Sequence, residues 1–348
     1  MAHNTYPEQI IIYPDLQKIK DPSGILRRRI MEKTLKPTVV VSRCLGFDAC
    51  RYNGQTLPDK FVDALGEFVE YITVCPEVEI GLGVPRDPIR LVLERGEMLL
   101  YQPASGKEFR QAMLDHFDSL YPELARADGF LLKGRSPSCG IKDVKVYLGK
   151  DKAVGSIKGV GIFGEQVLTH FPGIAIEEEG RLTNYKIREH FLTKIYMTAR
   201  LKQVEKTGSL KDLIQFHAKS KFLLMTYSQK ELKILGRLTA NTEKRPFGDI
   251  IAAYQSHFGE ALANVPKSSN IINTLMHMQG YFADELTPRE KTFIAETFDK
   301  YRDGKVHLGV PVNLLRSYAI KYEQDYLLDQ FIWEPFPEEL MNISDTGK

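Results

Sequence analysis

The stretch Gly129 to Gly140 reads G-F-L-L-K-G-R-S-P-S-C-G: a short apolar run that stops at Lys133 and Arg135 and turns through Ser136-Pro137-Ser138 into Cys139. An apolar run bounded by glycine predicts a short buried strand, and the Ser/Pro/Gly cluster behind it a tight loop. That places Cys139 just past the carboxyl end of a strand, the edge of an α/β sheet where ligands bind. Two more cysteines share this context. Cys44 follows Thr38-Val39-Val40-Val41-Ser42-Arg43, and Cys75 follows Tyr71-Ile72-Thr73-Val74. If the three strands belong to one sheet, the three thiols meet at one edge and form a site.

From Val39 to about Glu178, strand-like runs alternate with amphipathic stretches such as Lys60–Tyr71 and Lys107–Arg126. A later strand, Gly173-Ile174-Ala175-Ile176, runs into Glu177-Glu178-Glu179. Such alternation predicts an α/β fold with a Rossmann-like parallel sheet and helices on its faces. Gly159-Val160-Gly161-Ile162-Phe163-Gly164 matches G-x-G-x-x-G, but no clear strand precedes it, and the acidic residues come 13–15 positions later. A dinucleotide fingerprint wants its acidic residue ~20 positions on. The motif therefore reads as a glycine-rich turn opening the helix Glu165–His170, and no nicotinamide or flavin cofactor is expected.

From about Leu182 helical periodicity takes over, with breaks near Gly208, Pro246, Pro266, Pro288 and Gly309-Val310-Pro311. Ser209, Ser228 and Thr287 stand as N-caps. A chain of 348 residues exceeds the roughly 250–300 at which single cores stop growing. The expected division is an extension over 1–36, an α/β domain over 37–181, and an all-α domain of six or seven helices over 182–348.

The net charge of +2 hides an asymmetry: residues 181–245 hold fifteen basic and five acidic side chains, whereas residues 322–345 are acidic. Tyr185, His190, Phe216, His217, Tyr227, Tyr254 and His257 are interleaved with the basic stretch and continue beyond it. Basic charge with aromatic faces suits a nucleic-acid surface; solvated helix faces over an aromatic core are the plainer reading. The extension, with Arg27-Arg28-Arg29 and Lys33, reads as a surface arm or as a phosphate contact. No apolar run nears the ~20 residues that span a bilayer, and the amino terminus lacks signal-peptide character. A cytoplasmic protein is expected, in which four cysteines are metal or catalytic thiols rather than disulfides.

Ligation by cysteine alone leaves three readings. Structural zinc commonly takes close cysteine pairs, yet Cys44 and Cys50 are separated by five residues, and Cys75 and Cys139 stand alone. Iron–sulfur clusters accept dispersed thiolates that the fold gathers, and three thiolates on four irons leave one iron open as a Lewis acid. A nucleophilic thiol is the third reading, though no histidine lies in a neighbouring strand-end motif. Cys75-Pro76-Glu77 sets a carboxylate two residues from a ligand candidate, where general acid/base work is needed. Ser136 and Ser138 offer hydroxyls, or serve only the turn. Arg51 and Arg86 sit in turns where they meet an anion or brace the loops.

At these residues the chain resembles a known family. S-R-C-L-G with C-R-Y-N-G, V-C-P-E with G-L-G-V-P-R, and L-K-G-R-S-P-S-C-G resemble the TudS-type thiouracil desulfurases. The helical part, with F-H-A-K-S-K-F-L-L-M-T-Y-S, L-G-R-L-T-A-N, L-M-H-M-Q-G-Y-F and Y-L-L-D-Q, resembles the YbgA-type domain. Their fusion is similar to the RudS-type desulfidases, which act on 4-thiouridine in transfer RNA. The resemblance implies a [4Fe-4S] cluster on Cys44, Cys75 and Cys139 with one open iron. It implies non-redox replacement of sulfur by water at the ring carbon, with release of hydrosulfide. Cys50 then stands as a spare thiol; Glu77, with Glu70 as the alternative carboxylate, and Ser136 are the expected catalytic groups. Thiolated tRNA is the expected partner, met by Lys186, Arg188, Lys194, Arg200, Lys219, Lys221, Lys233 and Arg237. Two other readings stay open: a desulfurase of free thiouracil or thionucleosides, and a non-catalytic RNA-binding protein with a structural metal.

Overall fold

The computed structural model describes residues 35–151 and 155–341. Most of the expected extension, with Arg27-Arg28-Arg29 and Lys33, lies outside the described residues. The amino-terminal half runs β1 (Thr38–Ser42), α1 (Lys60–Leu65), β2 (Glu70–Val74), α2 (Pro76–Glu79), β3 (Arg90–Glu94), β4 (Glu97–Gln102) and β5 (Lys107–Glu108). It continues through α3 (Arg110–Leu124), β6 (Gly129–Leu132), β7 (Val144–Tyr147), β8 (Ser156–Gly159), α4 (Ile162–His170) and β9 (Ala175–Glu178).

The expected parallel sheet is present, in the order β2-β1-β6-β9 with every pairing parallel. Its two central strands, β1 and β6, are apolar on both sides, as strands covered on both faces must be. Val40 and Phe130 pack with Met113 and Phe117 of α3 and Phe163 of α4, while Val39, Val41 and Leu131 face the opposite layer.

A second, mixed sheet in the order β5-β4-β3-β7-β8 is absent from the sequence expectation. Its signal was legible: Arg95-Gly96 links two apolar runs, and both residues adopt positive φ (52° and 86°), the geometry of a tight hairpin turn. The expected helix Lys60–Tyr71 stops at Leu65 because β2 claims Glu70 onward for pairing with β1. The expected helix Lys107–Arg126 begins at Arg110 because Lys107 and Glu108 pair with β4. The strand expected at 173–176 sits two residues later, over Ala175–Glu178.

The rest is helical: α5 (Tyr185–Thr207), α6 (Leu210–Tyr227), α7 (Gln229–Ala240), α8 (Phe247–Ala261), α9 (Ser268–Gln279), α10 (Pro288–Arg302), α11 (Gly309–Lys321) and the short α12 (Asp325–Leu328). Ser209, Ser228 and Thr287 each accept a first-turn amide as N-caps, Thr287 within a full capping box. Gly208 ends α5 in the left-handed region at φ 64°.

Helix α5 joins the two halves. Phe191, Leu192, Ile195 and Tyr196 bury against Val39, Val41 and Leu131 of the parallel sheet. Met197 and Leu201, further along, pack with Leu213, Phe216 and Tyr254 of the bundle. The approach is close enough to require glycine at 129, where an added Cβ would lie 2.5 Å from Ile195 Cγ2. Lys202 Nζ fastens the helix to the sheet's amino edge through Ala127 O at 2.6 Å and Asp128 Oδ1 at 3.1 Å.

Candidate active site

Strands β2, β1 and β6 end level, with Ser42 opposite Val74 and Val41 opposite Leu131. Cys75 follows β2 directly, Cys44 lies two residues past β1, and Cys139 sits in the loop after β6. All three line one cavity of about 440 Å³, together with Cys50, Glu77, Arg86 and Ser136. All four cysteines are free. Cys50 is thus part of the cavity wall; its carbonyl lies 3.8 Å from Cys75 Sγ.

Burial, then the neighbouring Cys75, pushes the Cys44 thiol up to about 11. The same two causes push Cys50 up to about 12. Burial, then Cys44 and Glu77, raises Cys139 well above the ordinary thiol range, and a hydrogen bond with Ser42 opposes this. Reactive cysteine nucleophiles need lowered values, so the nucleophile reading loses support. Thiols of this kind become thiolates when a metal cation replaces their protons. No three of the cysteine sulfurs lie within 4.8 Å of one another. Thiolates on one tetrahedral zinc, each ~2.3 Å from the ion, would lie under about 4 Å apart. An all-sulfur donor set this wide, in a cavity of this volume, fits an iron–sulfur cluster better than a single ion.

The loop carrying Cys139 is fixed from three sides. Ser136 Oγ accepts from the amides of Ser138 (3.2 Å) and Cys139 (3.1 Å). The amides of Ile162 and Gly164 at the start of α4 donate to the carbonyls of Pro137 and Ser138, at 3.1 and 3.0 Å. The glycine-rich motif exists for this contact: an added Cβ at Gly161 would lie 2.5 Å from Ser138 O, and one at Gly164 2.6 Å from Gly140 O. On the third side, Glu178 Oε1 accepts from the amides of Ile141 (2.8 Å) and Lys142 (3.2 Å), and Glu179 accepts from Gly134 N (2.7 Å) and pairs with Lys133. The acidic triplet Glu177-Glu178-Glu179 at the end of β9 is the missed signal for this bracing.

Glu77 lines the cavity and is held at both oxygens. Oε2 accepts from Arg86 Nε at 3.0 Å and Nη2 at 2.6 Å, and Oε1 from the fully buried Ser138 hydroxyl at 2.9 Å. Arg86 Nη1 donates to Cys50 O (3.0 Å) and Gly83 O (2.9 Å), so the same side chain braces the loops. Ser136 lines the cavity, and its hydroxyl proton has no acceptor among the described residues. Glu70 is ruled out as the alternative carboxylate. It opens β2, is exposed, and stands five residues from Cys75, about 16 Å along an extended strand. Sequence reasoning missed Glu79, which accepts from Cys75 N at 3.1 Å, pairs with Arg43, and meets His116 Nε2 at 2.8 Å. The fold thereby brings a histidine of α3 to the strand ends, where none stood in sequence.

The eight basic residues of the helical part divide. Arg188, Lys194 and Arg200 are buried, which corrects their assignment to an RNA surface. Arg188 donates to Leu182 O at 2.7 Å, and Arg200 lies 4.7 Å over the Phe331 ring. Burial pushes Lys194 down to about 8, against the pull of Glu177. Lys186, Lys233 and Arg237 are exposed; Lys219 pairs with Asp329 at 3.2 Å, and Lys221 lies over Tyr326 at 5.7 Å. At the cavity itself stand Arg51, the exposed Tyr52 and the exposed Arg135, cationic and aromatic groups that the sequence reading did not assign to RNA.

Residues 39–179 match the 2-thiouracil desulfurase family. The uncharacterized protein YbbK of Bacillus subtilis (strain 168) is 30% identical over 109 residues, 29% of this chain and 72% of its own. The chain belongs to the 2-thiouracil desulfurase family. Residues 221–337 match a second family, described as a protein of unknown function, DUF1722. The uncharacterized protein YbgA of Escherichia coli (strain K12) is 25% identical over 158 residues, 45% of this chain and 93% of its own. The protein is thus a desulfurase-family module fused to a YbgA-like helical part. Among solved structures, the [4Fe-4S]-dependent thiouracil desulfidase TudS is 30% identical, with 42% of this chain and 93% of that chain covered at a TM-score of 0.35. No helix among the described residues is long and apolar enough to cross a membrane.

Proposed function

We propose that this protein hydrolyses the carbon–sulfur bond of thiolated uracil, with 4-thiouridine in tRNA as its substrate, giving uridine and hydrosulfide. The observation that carries the reading is the convergence of Cys44, Cys75 and Cys139 on one cavity fronted by the Glu77 carboxylate, in a chain of this family. A [4Fe-4S] cluster held by those cysteines supplies, when bound, an open iron that is soft enough to select sulfur and polarise its bond to carbon.

The protein's own groups do the rest. Glu77 takes a proton from the incoming water and returns it to the departing sulfur, and the second proton of the water leaves to solvent as the ring carbonyl forms, so the net change is water in and hydrosulfide plus a proton out. A carboxylate has about four lone-pair positions, so the bonds from Arg86 and Ser138 fix its rotamer and leave it an acceptor for water. Ser136, whose proton is uncommitted, donates to the exocyclic atom of the base. Arg51, Arg135 and Tyr52 at the cavity suit a phosphate and a stacked base beside an extruded nucleotide. Lys186, Lys219, Lys221, Lys233 and Arg237 extend the contact over the helical part.

The test is anaerobic reconstitution with iron and sulfide, followed by incubation with thiolated tRNA and with free 4-thiouridine. About four irons per chain and conversion of the tRNA are expected, and Cys44→Ser, Cys75→Ser and Cys139→Ser each lose both, whereas Cys50→Ser keeps the iron. Charge reversal at Lys219, Lys221 and Arg237 separates the substrates: loss on tRNA alone supports the RNA reading, and equal loss on both overturns it; an unaltered protein that acts on the free nucleoside and leaves tRNA untouched is a salvage desulfurase. Zinc without sulfide and without turnover overturns the enzyme reading in favour of a structural metal.

A further inference from the structure

The helical part holds a second, half-open cavity, of about 150 Å³, walled by Tyr185, Tyr227, Tyr301 and Trp333. Ordinary small-molecule sites measure ~300–1,000 Å³, so this one has room for a single ring rather than a fused pair. Two polar groups face each other in its wall. Glu189, from α5, has no hydrogen bond among the described residues; its Oε1 lies 3.3 Å from His307 Nε2, an atom sealed from solvent and without an aligned hydrogen-bond partner. His307 Nδ1 accepts from Gly309 N at 3.1 Å, so the imidazole proton sits on Nε2.

These groups are short of partners. Burial pushes the Glu189 carboxyl up to about 7, and burial with nearby Lys186 lowers His307. The Glu189 side chain is 23% exposed, so its carboxylate is only partly hydrated, and a donor that a bound molecule supplies offsets what burial removes. The aromatic walls want a flat apolar face, and the carboxylate wants an N–H in the plane of that face. A ring that carries its own amide or amine N–H satisfies both. An organic cation would also suit an aromatic cage, but Lys186 Nζ already lies 5.9 Å from the Tyr185 ring and repels a second positive charge.

We propose that this cavity binds a pyrimidine base, its ring packed against Tyr185, Tyr227, Tyr301 and Trp333 and its N–H donating to Glu189. The base comes either as a free nucleoside or as an unstacked nucleotide of an RNA. The site lies apart from the cysteine cavity and stands whether or not the desulfuration reading does.

Trp333 is the chain's sole tryptophan, so the pocket reports on itself. The experiment titrates the full chain with uridine, cytidine and a short uridine-rich oligonucleotide and follows tryptophan emission. Saturable quenching by uridine or cytidine is expected, weakened about tenfold or more by Glu189→Gln, which removes a charge-assisted hydrogen bond. Tyr185→Leu is the second variant should the first fail to fold, with the same loss expected. Sulfide release from free 4-thiouridine is expected to stay at the wild-type level in both. Quenching by the oligonucleotide far below the concentration needed for uridine identifies RNA as the source; equal concentrations identify the free nucleoside. No quenching by any of the three, equal quenching by adenosine, or displacement of uridine by tetramethylammonium overturns the proposal.

Discussion

At Glu77 the environment explains more than the residue type. A carboxylate two residues from Cys75 is useful in the proposed reaction only if it is held, and Arg86 and Ser138 hold it at 2.6 and 2.9 Å. Arg86→Lys keeps the charge but not the fork that spans Glu77 and two loop carbonyls. We expect kcat to fall about tenfold to a hundredfold while the iron content is kept, measured by sulfide release from reconstituted protein. Lys194 illustrates a different residue-scale effect. Its ammonium titrates at about 8 in the folded chain, lowered from 10.5 by burial, while the unfolded chain keeps the ordinary value. Below pH 8 both states are protonated and the burial cost is fully present. Between about pH 8 and 10.5 the unfolded state binds more protons, so stability rises with pH. Lys194→Met is expected to raise stability at neutral pH by up to about 3 kcal/mol and to abolish that rise, as followed by urea unfolding at several pH values.

At the scale of elements, the loop bearing Cys139 is shaped by the start of α4. Gly164 sits within that helix, where glycine weakens it, yet an added Cβ would meet Cys139 O at 2.9 Å and Gly140 O at 2.6 Å. Backbone cannot yield as a side chain does, so the loop must shift. Gly164→Ala is expected to leave the far-ultraviolet circular dichroism unchanged and to lower iron incorporation at least severalfold. Full incorporation would show that the loop is not set by this contact. The same contact gives the glycines of the G-x-G-x-x-G match a structural role: Gly161 and Gly164 admit the backbone of a neighbouring loop.

For the whole molecule, the decisive feature is that α5 serves two cores. The expected boundary at residues 181–182 falls just before a helix whose Phe191, Leu192, Ile195 and Tyr196 cover one face of the parallel sheet, with Phe336 and Leu340 from the far end of the chain beside them. Cutting after residue 181 uncovers Val39, Val41 and Leu131 together, and exposed apolar patches of that kind drive association. The fragment 35–181 is expected to self-associate or precipitate, as seen by light scattering; a monomer that unfolds cooperatively would show that the sheet does not need α5.

The sequence by itself determined the parallel strands, the cysteine behind each of three of them, and the helix caps, because these follow from local patterns: apolar runs, turn residues and capping hydroxyls read within a few positions. The tertiary structure alone decided what those patterns were for. It ended the helix at Leu65, built a second sheet, buried Arg188, Lys194 and Arg200, ruled out Glu70, and brought Ser138, Arg86, Glu79 and His116 to the strand ends. Each of these depends on residues distant in the chain, joined by pairing and packing whose free energy outweighs local propensity. Charge counts give a total for the chain, but only packing decides which of those charges faces water.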